Sequence, residues 1–394
     1  MKAVILAAGK STRTYPLTKS MPKPLLKAAG KSILEHNLTE LSGIVDEAII
    51  IVGYKKEMII DVFKDSYAGI KITYLEQSNQ NGTGGAVILA KELLRDEQKF
   101  IVMNGDDFFT GEDIKKCLQH DTAILVKEVL DLSRFGEVIT KDNLVMNLKE
   151  KPAKNEGMAN TGLYVFTPKI FEFKLQKSKR GEYEITDFIT HLIKSKHEVK
   201  YEKASFWTAV TYPWNLLEAN EYFLNNLEDK RLGEIENGAT IKGSVYVGKN
   251  TLIKAGAYIE GPVYIGENCV IGPNCFVRNY TTIGNNSKIG NAVEVKNTII
   301  GENTSIGHLS YVGDSVIGNF VNFGAGTITA NLRHDDENVK SLVKDKLVDT
   351  GRRKLGCIIG DGVHTGINTS IYPGRKIDFK KTTHPGEIVK KDVV

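Results

Sequence analysis

YIGENCVIGPNCFVRNYTTIGNNSKIG, residues 264–290, carries an aliphatic residue at every sixth position: Ile265, Ile271, Val277, Ile283 and Ile289. Glycine often follows it, and small or polar residues fill the spaces. Read outward, the same beat begins at Ile235 and runs through Ile241, Val247, Ile253 and Ile259 into this stretch, then on to Val295. After a one-residue contraction it resumes at Ile300, Ile306 and Val312, and a second contraction gives Ile317, Phe323 and Thr329. A six-residue beat sustained in this way is the mark of a parallel β-helix. Each hexapeptide makes one flat side, three sides make a coil, and the aliphatic points inward. The polar positions between them face out.

Up to about residue 229 the pattern is different. KAVILAA, EAIIIVG, KITYLEQ, KFIVMNGD and TAILVK are short apolar runs that read as buried parallel strands. Helical stretches such as SILEHNLTELSG, KEMIIDVFKDS and GTGGAVILAKELLRD lie between them. This alternation predicts a doubly wound, Rossmann-like α/β domain with its chemistry at the carboxyl ends of the strands. NLLEANEYFLNNLEDKRL (215–232) reads as a helix and linker closing that domain, so the chain divides into a first domain at 1–229 and a second at 233–394. A length of 394 residues suits two cores better than one.

The net charge of +4 is spread along the chain. It suits phosphorylated small molecules, whereas nucleic-acid binders concentrate a basic stripe, which is not found here. The four cysteines, Cys117, Cys269, Cys275 and Cys357, form no CxxC pair and no ligand spacing with histidine. No run approaches a membrane span, and the apolar start MKAVILAAGK is short for a signal sequence. The expectation is a cytoplasmic protein that binds neither nucleic acid nor membrane.

LAAGKSTRTYPLTKSMPKPLL (6–26) follows the first strand. GKST suggests a P-loop, but position 4 is Val where that motif needs Gly, and no GxGxxG opens a helix. What remains is a small-residue loop, Leu6, Ala7, Ala8 and Gly9, with Arg13 and Lys23 behind it. Such a loop lets backbone N–H groups approach a phosphate while cations balance the charge; an ordinary strand-to-helix turn is the other reading. QNGTGGA (80–86) brings small residues where backbone would approach a base or sugar. NGDD (104–107) ends a strand with carboxylates suited to Mg²⁺ or, equally, to a turn. NLKEKP and ANTGLYVF add Glu150 and Asn160, which could read sugar hydroxyls or be solvated strand ends.

In this order LAAGKSTR, PKPLL, QSNQNGTGG, NGDD, RFGEV, KEKP and NTGLY resemble the sugar-1-phosphate nucleotidylyltransferases over nearly the whole first domain. The resemblance implies that Leu6, Ala7, Ala8, Gly9, Arg13 and Lys23 hold a nucleoside triphosphate, UTP or dTTP, and that Gln77, Gly82 and Thr83 contact its base. It implies Asp106 as the Mg²⁺ ligand and Gly136, Glu150 and Asn160 as sugar-phosphate contacts. Two positions depart from the pattern. Ser11 stands where a second glycine is common, and in FWTAVTYPW Ala209 aligns with a second metal-binding Asp or Asn.

In the repeat half, SIGHLSYVGDS (305–315) sets His308 two positions after the inward Ile306, with its side chain directed outward. Alone it reads as a surface histidine. Arg278 and Lys296, each following an inward valine, lie one coil apart. Stacked strands about 4.8 Å apart would place two cations together with no anion in sequence register, and a bound phosphate or a solvated basic face would account for them. Counting sides puts Arg278 and Lys296 on one face, Asn322 on the next, and His308 with Tyr311 on the third. One prism does not turn three faces to one ligand, so a site shared within a homotrimer or a higher multiple is expected.

The stretch from VRNY through VEVKNTIIGENTSIGHLSYVGD to VNFGAGTITAN resembles the acetyltransferase half of the bifunctional enzymes that make UDP-N-acetylglucosamine, and the short carboxyl end resembles archaeal proteins of this type. By that resemblance the β-helix is left-handed, Arg278 and Lys296 bind the sugar phosphate, and His308 is the catalytic general base. Tyr311, Asn322 and Lys354 contact glucosamine-1-phosphate, and Ala325 and Asn331 lie toward acetyl-CoA. Leu332 replaces an expected aromatic, LRHDDENVKSLVKDKLVDTGRRK is a charged insertion between coils expected as an exposed arm or loop, and some acetyl-CoA contacts have no counterpart in THPGEIVKKDVV. A nucleotidylyltransferase for glucose-1-phosphate or a related sugar, whose β-helix only trimerises or regulates, is the alternative. A non-catalytic scaffold is the third reading.

Overall fold

The computed structural model describes residues 1–150 and 156–394, with the side chain of Glu150 outside the described set. The chain forms two compact units. The first takes Met1–Lys10, Pro22–Leu25 and Ile33–Ala209, and the second takes Ser11–Met21, Leu26–Ser32 and Val210–Val394. No described helix is long and apolar enough to cross a membrane.

The first unit is built on a ten-stranded mixed sheet. At its centre Phe100–Asn104, Lys2–Ala7, Glu47–Val52 and Ile70–Glu76 run parallel. These runs are apolar on consecutive residues because helices cover both faces, and Ile49, Ile50 and Ile51 are all fully buried. Ala123–Val129, expected among the neighbouring parallel strands, is separated from them by Gly157–Phe166, which lies antiparallel to both Phe100–Asn104 and Ala123–Val129. The helices Ile33–Leu41, Lys56–Phe63 and Thr83–Leu89 follow their strands as the alternation predicts.

The second unit contains three parallel sheets of eight, six and eight strands, with successive strands in different sheets and every pair in register. This is the arrangement of a β-helix. Ile253, Ile259, Ile265, Ile271, Val277, Ile283, Ile289 and Val295 are fully buried in one continuous core; each such side chain contributes roughly 1.5–3 kcal/mol relative to an exposed one. Corners recur at Asn250, Asn268, Asn286 and Asn303, with φ of 57°, 55°, 58° and 56°. Asparagine tolerates this left-handed backbone better than most residues do, which explains its spacing.

The coils extend beyond Thr329. After the insertion the beat resumes at Ile359, Thr365, Ile371, Ile377, Thr383 and Val389, all buried. The threonines interrupt the apolar signal but satisfy one another inside the prism: Thr365 with Thr327 at 2.9 Å and Thr383 with Thr369 at 2.8 Å. Within the insertion, Lys340–Val343 and Lys346–Asp349 form an antiparallel hairpin. Only part of it is an exposed arm: Leu347 faces solvent, whereas Ser341 is buried and its hydroxyl donates to the Gly374 carbonyl at 2.9 Å.

The helix Asn215–Asn225, expected to close the first domain, packs within the second unit. Its fully buried Asn220 accepts from the Ala29 N–H at 2.8 Å and the Thr282 hydroxyl at 2.7 Å, and donates to the Tyr280 carbonyl at 2.8 Å. Asn220→Ala strands all three partners. Since a buried unpaired polar group costs about 1–3 kcal/mol, a loss of several kcal/mol is expected, read as a lower denaturation midpoint of the β-helical unit.

Candidate active sites

The first strand delivers Leu6, Ala8 and Gly9 to a cavity of about 300 Å³, which Gln77, Gly82, Thr83 and Asp106 also line. Ala7 is buried at the strand end and does not line it. Gln80 donates to the Ala8 carbonyl at 3.0 Å and ties the two loops together. The Gln77 amide donates to the Asn81 side chain and to the Gly82 carbonyl, both at 2.9 Å, leaving its oxygen available to a ligand. Gly82 has φ +105°, and a side chain there would strike the Tyr183 backbone. Thr83 accepts from the Ile185 N–H at 3.0 Å, so its hydroxyl holds the loop. Gln80, Asn104 and Glu182 also line the cavity; motif reading did not single them out, although the first two lie inside quoted motifs.

Lys23 is buried, and its ammonium lies 2.7 Å from Asp106 and 4.0 Å from Asp107. Asp106 is about one-third exposed at 34%. Asp107 is buried, pairs across a two-stranded sheet with Ala209, and accepts from the Asn104 amide at 3.2 Å. Burial and the neighbouring Asp106 charge push its carboxyl up to about 7, against the opposing pull of Lys23, Asn104 and Trp207. Ala209 thus leaves the position facing Asp107 without a donor. Among the described residues no cluster of three or more His, Cys, Asp or Glu could hold a metal. The donor set still fits Mg²⁺, which commonly takes one or two carboxylates and fills its octahedron with water and substrate phosphates.

The residues expected to meet the sugar phosphate lie on neighbouring strands. Leu163 pairs with Met103, so the strand Gly157–Phe166 reaches the carboxyl end of Phe100–Asn104 on the side of Asn160. Glu137 pairs with Ala159, which puts Gly136 beside Asn160. The Asn160 side chain is engaged by the Tyr164 hydroxyl at 2.7 Å and by the Gly162 N–H at 2.9 Å. Glu150 pairs with Gly136 through the backbone, and its side chain lies outside the described residues.

Arg13 does not line the first cavity. It sits in a short 3-10 turn, Thr12–Thr14, and lines a separate cavity of about 270 Å³ in the second unit with Lys19 and Lys376. Ser11, in place of a family glycine, has φ +51°. Its carbonyl accepts from the Thr14 hydroxyl at 2.7 Å and the Thr18 hydroxyl at 2.9 Å, which holds the strained turn.

In the β-helix the expected assignment of faces needs correction. Phe276–Val277, Glu294–Lys296 and Tyr311–Gly313 are neighbours in one sheet, so Tyr311 shares a face with Arg278 and Lys296. His308 ends the strand Ser305–His308 in another sheet, beside the strand that begins at Asn322. A corner at Leu309, φ +51°, separates His308 from Tyr311. Two faces are involved rather than three, and the counting argument for a trimer loses its basis. Arg278 bonds Glu294 at 2.9 Å, and Lys296 lies 3.9 Å from Asp314. The stacked cations are therefore balanced within the chain, by carboxylates that sequence spacing along the coil did not reveal.

His308 is exposed, and its ring has no hydrogen-bond partner among the described residues. Its backbone is held firmly, with its carbonyl accepting from the Ser310 hydroxyl at 2.8 Å and the Gly326 N–H at 3.2 Å. Asn322 is exposed one strand away; the Ala325 carbonyl accepts from the Asn368 N–H at 2.8 Å, and exposed Lys354 bridges to Leu332. Asn331, expected near acetyl-CoA, donates its amide hydrogens to the Tyr311 hydroxyl and to Asp314, at 3.0 and 2.6 Å.

An α/β unit with a small-residue loop, a lysine-paired carboxylate and a base-sized cavity, continued into a hexapeptide β-helix, defines a nucleotidyl transferase with an added repeat module. Residues 2–226 match the family described as "Nucleotidyl transferase", and residues 259–384 match the "GMPPB C-terminal domain". Over 96% of its length the chain is 45% identical to the "Bifunctional protein GlmU" of Methanocaldococcus jannaschii, covering 92% of that protein. It is 40% identical to the "Bifunctional sugar-1-phosphate nucleotidylyltransferase/acetyltransferase" of Sulfurisphaera tokodaii, over 100% of this chain and 98% of the relative. The "UTP--glucose-1-phosphate uridylyltransferase AglF" of Haloferax volcanii is 36% identical over 56% of the chain and 96% of its own length. The chain belongs to the bifunctional GlmU family of nucleotidyl transferases.

Asp107 provides a pH test. Its raised carboxyl means the fold favours the protonated form, so stability falls as pH rises from about 4 through about 7. Asp107→Asn removes that dependence. Relative to wild type, its melting temperature should gain on the order of a few degrees between pH 5 and pH 8, measured by scanning calorimetry.

Proposed function

We propose that the second unit acetylates glucosamine-1-phosphate with acetyl-CoA, and that the first then joins N-acetylglucosamine-1-phosphate to UTP and releases pyrophosphate. The observation that carries this reading is the match across both units to relatives named bifunctional, one of them for nucleotidylyl and acetyl transfer together. The UTP-named relative covering the first half favours UTP over dTTP. The proposal includes functional domains at 1–229 and 233–394, a left-handed β-helix, a homotrimer or higher multiple, and a place in the cytoplasm.

In the first site the sugar phosphate oxygen attacks the α-phosphorus and pyrophosphate leaves. The protein's task is alignment and charge balance. The loop of Leu6, Ala8 and Gly9 admits the phosphates, Lys23 offsets their charge, and Gln77, Gly82 and Thr83 frame the base. Gly136, Glu150 and Asn160 seat the sugar phosphate. Asp106 would hold Mg²⁺, which, when bound, neutralises phosphate charge and orients the reacting oxygens. Lys23 holds Asp106 in place and balances its charge.

In the second site His308 takes a proton from the glucosamine ammonium. The freed nitrogen attacks the thioester carbonyl, the carbon–sulfur bond breaks, and CoA leaves as its thiol after protonation. Imidazole suits the step because it gains and loses a proton near neutral pH. Arg278, Lys296, Tyr311, Asn322 and Lys354 hold the sugar phosphate. Ala325 and Asn331 flank the acyl donor. A second reading, with a β-helix that only assembles or regulates, draws on the "GMPPB C-terminal domain" match and on the internal pairing of Arg278 and Lys296.

A double dissociation decides between them. His308→Ala should lower CoA release by about 10²–10⁴-fold and leave uridylyl transfer intact. Asp106→Asn should do the reverse. Wild type that releases no CoA at saturating glucosamine-1-phosphate would sink the acetyltransferase assignment and leave the second reading.

A further inference from the structure

One corner of the β-helix differs from the others. At the end of the face carrying Arg278 and Lys296, Asn297, Asp314 and Asn331 follow one another up the coils. Asn297 and Asp314 have left-handed φ of 44° and 50°, as corner residues do. At another corner asparagine stacks on asparagine, Asn250 on Asn268 at 3.2 Å. Here the middle rung is a carboxylate and it is almost wholly buried, 3% exposed. It takes one amide hydrogen from each neighbour: Asn297 donates to Oδ1 at 2.9 Å, and Asn331 donates to Oδ2 at 2.6 Å.

A carboxylate only accepts hydrogen bonds, so Asn331 must turn its NH₂ inward. That nitrogen has two hydrogens. One goes to Asp314, and the other goes to the Tyr311 hydroxyl oxygen, 3.0 Å away. Tyr311 is held over bare backbone, since a side chain at Gly313 would strike its hydroxyl. With its oxygen accepting from Asn331, the phenol has its own hydrogen left to give, and the direction open to it is outward. The other charges around the ring are Glu294, its register partner, and Arg278, with Lys296 beside Asp314.

We propose that Asp314 is a positioning residue that sets the donor polarity of Tyr311, so that the phenol gives its hydrogen to an anionic oxygen of the bound sugar phosphate. This rests on the acetyltransferase reading for the identity of the ligand, but not for the chain from Asp314 through Asn331 to Tyr311. Lys296, 3.9 Å away, offsets the buried charge without displacing either amide from the carboxylate oxygens.

Asp314→Asn is the informative variant, because the corner ladder already accommodates asparagine on asparagine. With it, Asn331 is free to flip and Tyr311 is free to turn its hydrogen inward. Acetyl transfer should show a KM for glucosamine-1-phosphate raised about tenfold, equivalent to about 1.4 kcal/mol, with a smaller change in kcat. In a Tyr311→Phe background the same substitution should change KM by less than about twofold, because its effect passes through the hydroxyl. An equal loss in both backgrounds, or no loss in either, overturns the proposal. A second readout is independent of acetylation. The Tyr311 phenol, followed by ultraviolet absorbance as wild type minus Tyr311→Phe, titrates above the ordinary tyrosine range through burial and the Asp314 charge. It should titrate lower in Asp314→Asn. An unchanged titration overturns the Asp314–Tyr311 link even if wild type transfers no acetyl group, whereas a lowered titration with no CoA release removes only the acetyltransferase reading.

Discussion

The stacking of one coil on the next governs the second unit. Inward aliphatics six residues apart lock each strand in register with the one below, about 4.8 Å away. Once that register holds, every outward residue has a fixed neighbour above and below, and surface chemistry becomes a matter of ladders. Arg278 meets Glu294, and Asn297, Asp314 and Asn331 form a continuous hydrogen-bonded column. His308 and Tyr311 are three residues apart in sequence yet stand on different faces, because a corner falls between them. The same rigidity makes the prism a precise platform, since a corner residue cannot move without disturbing the rungs beside it.

The first unit works by another constraint. Its parallel strands all release their chains at one edge, and small residues there leave room for a ligand while backbone groups stay within reach. The chemistry is concentrated in one lysine and two adjacent carboxylates. Lys23 balances Asp106, and Asp107 is driven toward its neutral form by burial and by the charge next to it. The pair thus divides into an exposed carboxylate that can meet a cation and a buried one that shapes the turn. Ala209 opposite Asp107 fits this division, since a further carboxylate at that place would add charge to a site already crowded with it.

Much of this was legible in the residues. The six-residue beat announced the β-helix, and apolar runs alternating with helical stretches announced the α/β unit, because both patterns follow from which side chains must be buried. Seven of the expected nucleotide-end residues line one cavity, since motif order along an open sheet translates into position along its edge. The misses have physical causes. The terminal coils hid because Thr365 and Thr383 take inward positions that an apolar count ignores. The face of Tyr311 was misjudged because it precedes the inward Val312 and so lies past the corner at Leu309, on the next side. Glu294 and Asp314 were overlooked as counter-ions because neither stands in strand register with its cation: Glu294 pairs with Phe276, and Lys296 pairs with Gly313. The role of Asn331 is set by a buried carboxylate reached only through the stacking of coils.

The most direct test follows one molecule through both units. Wild-type protein would be given glucosamine-1-phosphate, acetyl-CoA carrying a ¹³C-labelled acetyl group, UTP and Mg²⁺, and the products followed by ¹³C and ³¹P NMR. The account expects labelled N-acetylglucosamine-1-phosphate to appear first, and then to decline as labelled UDP-N-acetylglucosamine and pyrophosphate rise together. A nucleotide sugar without the label, or a labelled sugar phosphate that is never joined to UMP, would contradict it.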